Sequence, residues 1–119
     1  MPVMEPVKPT IHIMAASGAS MEWLRELQYG MEEEGVPYET DTKSDCGAVA
    51  LAWEAANASR LGVGVGLDAQ SVVLHYAKLH PENPLFRLSI RGDRGLARRL
   101  GSNAARLVKK LPLKSLDGR

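Results

Sequence analysis

The sequence predicts a three-layer α/β domain with a mixed sheet, on three observations. Short apolar runs alternate with amphipathic helical patterns in the order βαβα over the first half of the chain. Leu61, Val63, Val65 and Leu67 then alternate with Gly62, Gly64 and Gly66, which marks a strand with side chains on one face and bare backbone on the other. A regular apolar stripe closes the chain as a last helix. Right-handed crossovers make the first three strands parallel.

Met1 to Pro9, with three prolines, reads as an irregular lead-in, residues 10–114 as one α/β domain, and residues 115–119 as a polar tail. Ile11 to Ala15 is a buried-strand run, and Ser17, Gly18, Ala19 and Ser20 form a strand-to-helix turn. Met21, Leu24, Leu27 and Met31 recur at helical spacing, with Ser20 as N-cap, Glu22 near the positive end of the helix dipole, and Gly35 and Pro37 as stop signals. Val36 to Thr40 is the second strand. A second helix runs from about Asp45 to Ser59 on Ala48, Leu51, Ala52 and Ala55. The glycine-alternating strand follows, its bare face predicting close packing. Val72 to Tyr76 and Leu85 to Ile90 form a hairpin across His80 to Pro84, and the last helix spans about Arg94 to Leu111, with Gly101 weakening its middle.

At 119 residues, 45% of them hydrophobic, the chain can bury a core without staples. Its single cysteine, Cys46, excludes an internal disulfide and fits a reducing, cytoplasmic compartment. No apolar run reaches the length of a membrane span, and the N-terminus does not read as a signal peptide. The net charge is +1, yet residues 1–59 balance to −7 and residues 60–119 to +8, a polarity that predicts charged partners.

Several motifs weigh against chemistry in this chain. The glycine row lies inside a strand rather than between a strand and a helix, and no phosphate-binding G-x-x-x-x-G-K-[ST] loop is present, so no nucleotide is expected on this chain alone. His12, His75 and His80 lack metal-pair spacing and read as ordinary strand and loop histidines. Cys46 has no cysteine-enzyme signature around it and reads as structural. No catalytic constellation is found.

Two segments break local rules. Glu32, Glu33 and Glu34 occupy the last helical turn, where the dipole disfavours acids by about 0.3–1 kcal/mol each. They read either as a solvated acidic face or as a meeting point for a divalent cation or a partner's arginine. Successive helical positions diverge by about 100°, so all three cannot ligate one ion, and one glutamate suffices if phosphates and waters complete a magnesium shell. The basic stretch from Arg87 through Arg91, Arg94, Arg98, Arg99, Arg106, Lys109 and Lys110 has Phe86 as its one nearby aromatic, which argues for an amphipathic helix with a solvated or protein-docking basic face over a nucleic-acid site. Within it, Gly101, Ser102 and Asn103 put poor helix formers into a helical pattern.

Gly30-Met31-Glu32-Glu33-Glu34-Gly35-Val36-Pro37-Tyr38, Val73-Leu74-His75-Tyr76-Ala77-Lys78-Leu79, Pro84-Leu85-Phe86 and Gly101-Ser102-Asn103-Ala104-Ala105-Arg106-Leu107-Val108-Lys109 together resemble the small subunit of the diol/glycerol dehydratase reactivating factor. The resemblance covers most of the chain, in the family's order and spacing. It implies a three-layer α/β/α fold with a mixed five-stranded sheet, similar to the β subunit of the coenzyme-B12-dependent dehydratase. It also implies a non-catalytic accessory subunit without a cofactor of its own. A large partner subunit with an actin- and chaperone-like ATPase domain carries Mg and ADP or ATP, in a hetero-oligomer of the α2β2 kind. Exchange with the dehydratase β subunit then loosens the dehydratase so that damaged cobalamin leaves.

By motif match the resemblance implies that Glu33 reaches the magnesium at the partner's nucleotide, a coupling of about 1–3 kcal/mol between nucleotide state and subunit affinity. Glu32, Glu34, Asn103 and Arg106 are the further partner-interface candidates. Asn103 and Arg106 also suit a fold-closing role, and Glu32 and Glu34 a solvated face. The implied location is the cytoplasm, free or within a bacterial microcompartment, with no membrane and no nucleic acid as partner. The two competing readings are a β-type subunit of the dehydratase itself and a nucleic-acid-binding module on the C-terminal basic helix.

Overall fold

The computed structural model describes residues 9–43, 47–91 and 93–116. Cys46 and the expected helix start at Asp45 lie outside them, as do Met1 to Lys8. The elements are β1 (Ile11–Ala16), α1 (Met21–Glu33), β2 (Tyr38–Lys43), α2 (Ala48–Ala58), β3 (Val63–Leu67), β4 (Ser71–Tyr76), β5 (Phe86–Ser89) and α3 (Arg94–Lys109). Both β2 and β3 pair with β1 in parallel, whereas β3 with β4 and β4 with β5 are antiparallel, giving the order β2-β1-β3-β4-β5. Helices α1 and α3 pack together over one face and α2 over the other. The mixed five-stranded, three-layer α/β/α architecture is therefore present.

The main core lies beneath α1 and α3. Ile11 and Ile13 from β1, Val63, Val65 and Leu67 from β3, and Val72 and Leu74 from β4 meet Leu27 and Met31 of α1 and Leu100 of α3, all at most 1% exposed. On the opposite face the glycine row explains itself. A Cβ at Gly64 would sit 2.1 Å from the Ala56 backbone nitrogen, and one at Gly66 2.1 Å from the Ala48 carbonyl oxygen. Helix α2 therefore lies directly on bare strand backbone, and its own contact face is kept small by Ala48, Ala52, Ala55 and Ala56.

Helix α2 has no capping side chain of its own at Gly47. Asp68, just after β3, supplies the anion instead: its Oδ2 accepts from Ala48 N at 2.9 Å, and its Oδ1 from Gln70 N and Ser71 N at 2.8 and 2.7 Å. Burial alone would raise the Asp68 carboxyl, but the hydrogen bonds from Gln70, Ala48 and Ser71 outweigh it and hold the group below its ordinary value. His75 on β4 is fully buried, with Tyr76 N donating to Nδ1 at 2.9 Å and Nε2 3.0 Å from the Pro81 carbonyl. That geometry suits the neutral ring with its proton on Nε2. It also ties the β4–β5 loop to the sheet.

The boundaries of β2 and α3 differ from the sequence reading for local reasons. Val36 and Pro37 belong to the turn that ends α1, so β2 begins at Tyr38 and runs on to Lys43. Tyr38 is half-buried and the five residues after it are exposed, which makes β2 a polar edge strand, protected by charge rather than by burial. Helix α3 stops at Lys109 because Lys110 turns left-handed, with φ 59°, just before Pro112. Gly101 does not weaken α3 but makes its packing possible. A Cβ there would lie 2.0 Å from the Leu27 carbonyl oxygen of α1, and one at Gly30 2.1 Å from the Arg98 carbonyl oxygen of α3. The two helices touch backbone to backbone at this crossing.

Candidate functional site

The crossing of α1 and α3 brings the two rule-breaking segments together at the carboxyl end of α1. Gly35 takes φ +73°, with Gly35 N bonding the Glu32 carbonyl at 3.0 Å and Val36 N the Met31 carbonyl at 3.3 Å. This is a Schellman ending, closed by burial of Met31 and Val36 in the same core. A side chain at Gly35 would meet no neighbour, so its requirement is conformational rather than spatial.

The three glutamates of this turn diverge to three different partners. Glu32 Oε1 accepts from Tyr38 Oη at 2.6 Å, and this bond is the main cause that pushes the tyrosine up to about 12. Glu33 lies 3.3 Å from Arg98 Nε and keeps 44% of its side chain exposed. Glu34 turns inward and is only 12% exposed. Its Oε2 accepts from Ser102 Oγ at 2.7 Å and from Arg106 Nε at 3.1 Å, while Lys109 Nζ reaches its main-chain carbonyl at 2.9 Å. The Ser102 bond first, then Arg106, hold the Glu34 carboxyl below its ordinary value against the opposing effect of burial. Cations of α3 thus compensate for acids placed at the wrong end of a helix dipole.

Each polar residue of the Gly101 to Lys109 segment has a contact of this kind. Ser102, Arg106 and Lys109 serve Glu34. Asn103 is fully buried and clamps the chain beyond α3, with Nδ2 donating to the Lys114 carbonyl at 2.9 Å and Oδ1 accepting from Lys114 N at 2.6 Å. Arg106 Nη1 adds a bond to the Pro112 carbonyl at 3.0 Å. Of the sites named from sequence, Glu34, Asn103 and Arg106 are joined in one intramolecular lock, whereas Glu32 and Glu33 face outward beside it.

The charge asymmetry of the sequence has an internal outlet as well. Glu22 pairs with Arg94 at 2.6 Å and Glu26 with Arg98 at 3.1 Å, so acids of the first half meet bases of the second along the α1–α3 seam. No spacing rule could have revealed this, because the partners lie about seventy residues apart. Among the described residues no group of three or more His, Cys, Asp or Glu side chains could hold a metal ion. A cation met by Glu33 would need its remaining ligands from outside the described residues.

A model of the dehydratase medium subunit family matches residues 8–114. The diol dehydratase-reactivating factor small subunit of Klebsiella michiganensis is 39% identical over 109 residues, 92% of this chain and 86% of that protein. The chain belongs to this family of reactivating-factor small subunits. The propanediol dehydratase-reactivating factor small subunit of Salmonella typhimurium is likewise 39% identical, over 91% of this chain and 92% of its own length. Among solved structures, one of diol dehydratase-reactivating factor complexed with ADP and Mg2+ superposes with a TM-score of 0.85 at 39% identity, covering 90% of this chain and 98% of that one. A glycerol dehydratase reactivase chain superposes at 0.87 and 37% identity, covering 92% and 99%. The family's fold and the mixed sheet described above agree.

Proposed function

We propose that this chain is the exchangeable, non-catalytic small subunit of an ATP-dependent reactivating factor, and that its Glu33 lends a carboxylate to the magnesium of the nucleotide on the large subunit. The observation that carries the reading is the exposure of Glu33 at the end of α1 in a chain so similar to a reactivating factor solved with ADP and Mg2+. The neighbouring Glu34 lock supports it, because it fixes the turn on which Glu33 stands.

In this account the ATPase resides on the large subunit of an α2β2 assembly, and the small subunit holds the place that the dehydratase β subunit takes during reactivation. Damaged cobalamin leaves while that exchange loosens the dehydratase. The family match over residues 8–114 supports treating residues 10–114 as the working unit. Action in the cytoplasm or within a bacterial microcompartment fits a chain in which no helix among the described residues is long and apolar enough to cross a membrane.

Glu33→Gln is the direct test. It should remove about fivefold to tenfold of the affinity for the large subunit that Mg-ADP adds, the range of a modest linkage, while leaving the nucleotide-free affinity and the melting temperature near wild type. Association measured with and without Mg-ADP decides it. An unchanged nucleotide effect removes Glu33 from the mechanism.

A further inference from the structure

Arg98 sits where the close α1–α3 crossing carries a basic side chain across the outer surface of α1. Its Nε lies 3.1 Å from Glu26 Oε2 and 3.3 Å from Glu33 Oε1, and the guanidinium carbon stands 5.3 Å from the centre of the Tyr29 ring. Two carboxylates and an aromatic face therefore share one cation, which remains 46% exposed. If Glu33 is drawn to a cation elsewhere, Glu26 and Tyr29 still hold Arg98 in place and partly neutralise it.

The chemistry of a magnesium nucleotide makes this arrangement informative. Such a ligand presents a divalent cation flanked by anionic phosphate oxygens and is negative as a whole. A lone carboxylate approaching it gains the metal but is repelled by the phosphates. A carboxylate and a guanidinium side by side present the complementary pair of charges, and arginine is the side chain best suited to phosphate oxygens.

We propose that Arg98 is a second residue of this chain that engages the partner-bound magnesium nucleotide, its guanidinium meeting phosphate oxygens while Glu33 meets the metal. This rests on the role assigned to Glu33 above. In the free subunit Arg98 is held between Glu26 and Glu33; on docking Glu33 turns to the metal while Glu26 and Tyr29 keep the guanidinium in place.

The test measures association of the chain with the large subunit in three conditions, without nucleotide, with Mg-ADP, and with ADP plus a chelator, for wild type, Glu33→Gln, Arg98→Met and Arg98→Lys. Arg98→Met should lose about fivefold to tenfold of the Mg-ADP gain, and Arg98→Lys should retain part of it. In ADP without magnesium, Arg98→Met should still lower the response while Glu33→Gln does not. Melting curves check that the variants fold, and Arg98→Lys keeps the positive charge on α3. If Glu33→Gln loses the gain and Arg98→Met keeps or improves it, the Arg98 proposal is overturned and the role of Glu33 stands. Arg98→Met that merely tracks Glu33→Gln in every condition also overturns it, since Arg98 then only orients Glu33. If Glu33→Gln keeps the gain, both proposals fall together.

Discussion

Gly101→Ala should destabilise the protein by about 3 kcal/mol, although alanine is the better helix former by about 1 kcal/mol. The added methyl would stand 2.0 Å from the Leu27 carbonyl oxygen, 2.8 Å from its carbon and 3.0 Å from its Cα. None of these is a flexible side-chain end, so α1 and α3 must separate. Separation lifts Leu27 and Leu100 off the common core and draws Glu34 away from Ser102 and Arg106. A domain of this size has only about 5–15 kcal/mol to lose. Urea unfolding of the two proteins measures the difference, and equal or greater stability of the alanine variant would show that the crossing is looser than described. Gly35→Ala is a useful contrast: no atom lies within 4 Å, so it should cost only the roughly 1 kcal/mol of a left-handed residue.

Glu34→Gln should cost about 2 kcal/mol near neutral pH, since one largely covered carboxylate serves a hydroxyl, a guanidinium and two nearby ammonium groups. The amide keeps the shape and one acceptor oxygen but loses the charge that Arg106 and the two ammonium groups face. The pH dependence has a definite sign. Because the folded-state carboxyl is held below its ordinary value, the folded protein binds fewer protons than the unfolded chain in the acidic range, and stability rises with pH there. The contribution of Glu34 is complete above the unfolded value near 4.3 and disappears as pH falls through the lower folded value. The gap between wild type and Glu34→Gln should therefore narrow below about pH 4. A gap of the same size at pH 3 and pH 7 would contradict the charge-based account of this lock.

Much of the fold was legible because its elements obey local periodicities. Leu61 to Leu67 announced both a strand and a face on which something packs closely, and α2 is that partner. Met21, Leu24, Leu27 and Met31 marked α1, and Gly35 its end. What escaped local reading depends on tertiary pairing. Gly101 looked like a defect because helix propensity knows nothing of the Leu27 carbonyl across the crossing. Glu34 looked like its two neighbours because three consecutive acids carry no mark of which will turn toward α3. Asp68 carries no local signal of its role, since the helix it caps begins twenty residues earlier.

Two of the four segments that carry the family resemblance, around Glu33 and around Asn103, touch one another through Glu34, Ser102, Arg106 and Lys109. Most residues of those motifs build a rigid turn and clamp the chain at Lys114. Glu33 is the residue of the acidic turn left with an exposed carboxylate beside Arg98. The sequence marked the neighbourhood, and only packing distinguishes the support from the residue it displays.

The most direct measurement is the mass of the species formed when this chain is co-expressed with the large subunit of a dehydratase-reactivating factor, by size exclusion with light scattering, with and without Mg-ADP and then with added dehydratase. A stable hetero-oligomer is expected, whose affinity depends on Mg-ADP and from which this chain is exchanged for the dehydratase β subunit. A chain that stays alone or only self-associates under every condition, or that joins the dehydratase in place of β and binds cobalamin there, would contradict it.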